Sequence, residues 1–153
     1  MRSEDRVLVR RRLAAVPDRL ALAARSAAER PVPPGEWGPS EVVRHLIAVE
    51  DVVWHTRLRQ LAAADRPTWP WVEPGPWQGD PAATLDELLA AYAARRNETL
   101  AILDGFDDAT WNRTGIHATW GEIDVVALMV RAVDHDDEHI ASFDAPGSPS
   151  AGQ

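Results

Sequence analysis

The chain contains no cysteine. Disulfides, thiolate metal sites and a cysteine nucleophile are therefore excluded. It contains no lysine either, so every basic residue is an arginine. That removes Schiff-base chemistry, which needs a lysine amine. No apolar run approaches the ~20 residues of a membrane-spanning helix. The opening Met1-Arg2-Ser3-Glu4-Asp5-Arg6 has no signal-peptide hydrophobic stretch behind it. A cytoplasmic location is expected, with no membrane partner. Positive charge is also scarce: 16 basic residues face 24 acidic ones, for a formal net charge of -8. Nucleic acids and anionic membrane surfaces want a basic stripe, so neither is an expected partner.

What is present suits one soluble domain. The chain has 153 residues, 45% hydrophobic and 26% charged, enough for a single core and too few for two. Four long segments carry helical periodicity. The first runs from about Glu4 to Ala28, with Val9, Leu13, Val16, Leu20 and Ala24 on one side. Pro17 is expected to kink or split it. The second starts at Gly38-Pro39-Ser40-Glu41, with Pro39 in its first turn. It carries Val42, His45, Leu46, Val49 and Val53 inward and ends near Ala64.

The third helix begins at Thr84-Leu85-Asp86-Glu87, a capping box, and closes at Gly105. A short extra turn over Asp107–Trp111 follows. The fourth is expected to begin at a second capping box, Thr119-Trp120-Gly121-Glu122, and to run to about Phe143. No strand signal stands out. The segment from Asp65 to Ala83 is a long aperiodic connection holding Trp69, Trp71, Trp77 and several prolines. Loops of that length are often functional, and this one is long enough to let helices two and three run parallel. The expected fold is all-α, a four-helix bundle over residues 1–144, with a disordered tail at 145–153.

The most telling residues are histidines. His135 and His139 are spaced i, i+4, which sets their rings about 40° apart on one helix face. They continue the stripe of Leu128 and Ala132. Two inward imidazoles on consecutive turns either find core hydrogen-bond partners or share a metal ion. His45 replaces an aliphatic residue on the inner stripe of helix two and is the natural third ligand. His55, ten positions on, falls about 80° away around that helix and is read as exposed or at a pocket rim. His117 is read as a surface loop residue.

The pattern His135-x-x-Glu138-His139 also fits an inverted zincin, in which the glutamate activates a zinc-bound water. Such an enzyme needs an acidic ligand on a later helix, and only a short Pro- and Gly-rich segment follows His139. The peptidase reading is rejected on that ground. Glu138 and Asp134 are then solvated acids or groups that orient an imidazole from behind. Trp37 and Trp120 are candidates to wall a cleft or to plug the bundle ends. Arg96, near the inner stripe of helix three, either binds a substrate carboxylate or is ion-paired, the second being the simpler reading. No Ser-His-Asp or paired-carboxylate arrangement is present to defend.

Glu36-Trp37-Gly38-Pro39-Ser40-Glu41-Val42-Val43-Arg44-His45-Leu46 resembles the opening of helix two in the DinB/YfiT-like superfamily. The stretch from Gly121 through Val125 to His135-Asp136-x-x-His139 resembles its final helix. The resemblance implies an up-down-down-up four-helix bundle, frequent homodimers, and one divalent metal on His45, His135 and His139. Zinc, nickel and iron(II) all suit imidazole ligands. It further implies a metal-dependent enzyme acting on a small-molecule substrate. The reaction is either S-transfer with a low-molecular-weight thiol of the mycothiol or bacillithiol kind, or hydrolysis by an activated water. The alternative is a non-catalytic, stress-related protein that binds a metal or small ligand.

Overall fold

A computed structural model describes residues 2–144; the tail expected at 145–153 lies outside the described residues. The elements are α1 (Ser3–Ala27), α2 (Pro39–Val49), a π-helical segment (Glu50–His55), α3 (Thr56–Ala63), β1 (Thr68–Trp69), α4 (Leu85–Asp104), α5 (Asp108–Trp111), β2 (Thr114–His117), β3 (Gly121–Asp124) and α6 (Val125–Ser142). Helix α1 packs against α4 and α6, and α2 packs against α4. The expected apolar stripes form the core: Val9, Leu13, Val16, Leu20 and Ala24 from α1 are all buried, as are Val42, Leu46 and Val49 from α2. The capping box at Thr84 and Glu87 forms with both of its hydrogen bonds.

Pro17 does not split the first helix, which runs unbroken through it. A proline lacks the N–H that would bond the carbonyl four residues earlier, here that of Leu13. That carbonyl is not left idle. Arg96 on α4 donates to it from Nη1 at 3.3 Å. Leu13, Val16 and Leu20, buried on the same face, keep the helix packed on the core across the gap in its ladder.

Helix two also departs from regularity. It runs from α2 to α3 through the π segment, whose flanking residues Val49 and Thr56 keep right-handed helical angles. One widened turn shifts the faces of everything after it. Within the segment Glu50, Val53, Trp54 and His55 are all buried. His55, expected at a rim, is 1% exposed. Its Nε2 lies 2.8 Å from Thr99 Oγ1 and 3.0 Å from the Arg95 carbonyl. A carbonyl only accepts, so Nε2 carries the proton.

The strictly all-helical expectation is corrected by a small sheet of order β1-β2-β3. Strands β2 and β3 pair antiparallel, with His117 opposite Gly121, and β1 joins parallel to β2. Two glycines explain why. Gly121 has φ +73°, a left-handed turn conformation that no helix start would use. A Cβ on Gly115 would lie 2.2 Å from the Trp69 indole, so only glycine admits that ring. The second capping box therefore does not form. Helix α6 begins four residues beyond Gly121, capped by the Asp124 carboxylate accepting from the Ala127 N–H at 2.8 Å.

Candidate metal centre

His45 comes from the middle of α2, and His135 and His139 from consecutive turns of α6. The i, i+4 spacing sets the α6 pair side by side, with ring centroids 4.7 Å apart. His45 closes the group at 5.5 Å from His135 and 4.9 Å from His139. One nitrogen from each imidazole lies within 4.8 Å of the other two. The expected trio is thus brought together by two helices that are far apart in sequence.

The electrostatics prepare these rings for a cation. Burial lowers the His135 pKa to about 3, helped by the charges of His139, His45 and Arg96. Burial, then His45, lowers His139 to about 4. His45 is also lowered by burial, with the Glu73 charge working in the opposite direction. All three are neutral near pH 7 and keep a lone pair free. The buried nitrogens His45 Nε2, His135 Nδ1, His135 Nε2 and His139 Nε2 have no hydrogen-bond partner among the described residues. Buried polar atoms are nearly always satisfied. One nitrogen from each of the three converging rings fits a divalent ion, which accepts lone pairs where the protein offers no donor; the fourth is the other nitrogen of the His135 ring.

Two cavities flank the trio. One of about 330 Å³ opens at His45 between Trp37 and Trp77, with Glu41, Arg44 and Glu73 on its walls. The other, about 230 Å³, opens at His135 between Trp71 and Trp120, with Arg131, Asp134 and Glu138. Trp37 and Trp120 therefore stand as cavity walls, whereas Trp69 is buried as core. Neither Asp134 nor Glu138 is hydrogen-bonded to a histidine among the described residues. Asp134 instead pairs with Arg12 at 3.3 Å.

Arg96 is ion-paired, away from both cavities. It is fully buried, bonded to Glu50 and, at 2.6 Å, to Asp136. Thr99 Oγ1 donates to the other Glu50 oxygen at 2.5 Å. Burial pushes the Asp136 carboxyl up to about 6 even against the opposing charge of Arg96. Asp136 has no role in the sequence analysis beyond its place between the two histidines. Its position four residues after Ala132 and three after Val133, both buried, is the signal that sets it inward. His117 is a second correction, being buried rather than at the surface. Its ring stacks on Trp120 at 3.8 Å, and its Nδ1 accepts from the Thr119 N–H at 3.0 Å. Sequence reasoning also missed Glu73, which no periodicity marks in an aperiodic loop, and Trp54, whose ring lies 6.4 Å from His135.

The fold is a helical bundle that gathers one imidazole from its second long helix and two from its last, a cluster with the spacing to hold a metal ion. More specifically, the chain belongs to the DinB superfamily, whose sequence pattern it matches over residues 4–142. Among solved structures it is similar to YfiT from Bacillus subtilis, with a TM-score of 0.72 at 21% identity, covering 95% of this chain and 87% of that one. YfiT is described as a probable metal-dependent hydrolase with an unusual four-helix bundle topology. No curated protein matches the chain.

Proposed function

We propose that the chain is a metal-dependent enzyme acting on a small molecule, with His45, His135 and His139 as the ligands of one divalent ion. The observation that carries this is the convergence of three imidazoles, each with a buried nitrogen that has no hydrogen-bond partner among the described residues. Three protein ligands leave coordination positions open, the mark of catalytic rather than structural sites. The ion supplies Lewis-acid chemistry there, lowering the pKa of a water or thiol placed beside it. Trp37 and Trp77 wall the approach to His45 and limit bulk water around the reacting group. Zinc, nickel and iron(II) remain the candidate ions, since all suit imidazole.

Hydrolysis is the first reading, by analogy with the description of YfiT. Group transfer involving a low-molecular-weight thiol is the second. It is favoured by the two separate cavities, one at His45 and one at His135, which suit two small reactants. The test starts with untagged protein and elemental mass spectrometry. Near-stoichiometric metal in the wild type and its loss in His45→Ala are expected. Equal trace metal in both would refute the site. The loaded protein is then assayed for ester and amide hydrolysis and for thiol conjugation, against a variant with all three histidines changed to alanine. Turnover no higher than in that variant would leave a binding protein rather than an enzyme.

A further inference from the structure

One guanidinium touches all four long helices. Arg96 sits on α4, donates to Glu50 at the end of α2, to Asp136 on α6, and to the Leu13 carbonyl on α1. Arg96, Glu50 and Asp136 are each 1% exposed or less. The Tyr92 ring lies against the guanidinium at 5.4 Å. The polar chain continues outward from Glu50 through Thr99 to His55.

Such a cluster is a poor choice for stability alone. Charges withdrawn from water regain little more than they lose, and apolar replacements of equal volume often serve as well. Its best-attested use is to fix register. Apolar ridges tolerate sliding by a turn, but a fork that must meet two carboxylates and one carbonyl does not. Register matters here because the ligands ride on the same helices as the carboxylates. Glu50 lies five residues after His45, and Asp136 lies between His135 and His139.

We propose that Arg96 is a positioning residue for the histidine trio: through Glu50 and Asp136 it sets α2 and α6 at the offset where the three imidazoles meet. This rests on the metal reading above. It assigns to Arg96 the pre-organisation of the site and not contact with ion or substrate.

The test uses cobalt(II) as the probe, read by its visible d–d absorption and by titration. Arg96→Lys keeps the charge but lacks the fork needed to span the three acceptors. A triple variant, Glu50→Leu with Arg96→Met and Asp136→Ala, removes the charges together, and Thr99 keeps its bond to the Arg95 carbonyl. Both are expected to unfold cooperatively in urea, to bind cobalt at least tenfold more weakly than wild type, and to show an altered d–d spectrum. Cobalt affinity within threefold of wild type with an unchanged spectrum, in either folded variant, would overturn the proposal. So would a triple variant that fails to fold, since the cluster would then serve stability. His45→Ala separates the two readings. If it too binds cobalt normally, the metal site is wrong; if it alone loses affinity, only the role of Arg96 is wrong.

Discussion

Metal-free protein should lose much of its stability between pH 7 and pH 5. His135, His139 and His117 have pKa values lowered to about 3, 4 and 4, chiefly by burial. In the unfolded chain they titrate near 6.5. Between these limits the unfolded state holds more protons than the native one, so stability falls as pH falls. Each lowered histidine is worth about 2 kcal/mol at pH 5 relative to pH 7, or about 6 kcal/mol for the three. Asp136 works in the opposite sense. Its carboxyl is raised to about 6, so the native state takes up its proton first and gains about 1 kcal/mol over the same interval. The net expected loss is about 5 kcal/mol, comparable to the whole stability of many domains. The assay is urea unfolding of chelator-treated protein at both pH values, followed by far-UV circular dichroism. A loss under about 1 kcal/mol would refute the reasoning. So would an undiminished loss in a variant with asparagine at positions 117, 135 and 139.

Two other substitutions test the packing. Gly115→Ala should destabilise by about 2 kcal/mol, because the added methyl meets a buried indole with no room to move; a thermal melt within a degree of wild type would contradict it. Thr84→Ala removes the side chain that accepts from the Glu87 N–H at 3.2 Å and should cost about 1 kcal/mol. The urea midpoint should fall while the slope stays unchanged.

Much of the fold was legible because it depends on local signals. Stripes of Val and Leu at 3–4 spacing placed α1, α2 and α4, and Thr84 with Glu87 marked the start of α4. The trio was legible for the same reason: an inward histidine stands out against aliphatic neighbours. The hairpin was not legible. Thr114-Gly115-Ile116-His117 buries only a glycine and a histidine on its inner side, which do not read as an apolar alternation. Thr119 and Glu122 have the spacing of a cap, yet Gly121 turns the backbone the wrong way for one. The π segment left no mark either. It is stabilised by partners on α4, Thr99 and Arg96, which lie more than forty residues away. The burial of His55 follows from those distant partners, and periodicity alone could not supply them.

Pro17 has a consequence for how the chain folds. A proline within a helix costs about 3 kcal/mol of intrinsic helicity, so α1 is a poor helix by itself. Its missing bond is replaced only when Arg96 reaches the Leu13 carbonyl, and Arg96 is seated there with Glu50 and Asp136. The first helix therefore depends for its completion on segments synthesised well after it. A nascent or truncated chain lacking α6 would hold α1 only loosely, and the bundle should form as one cooperative unit rather than helix by helix.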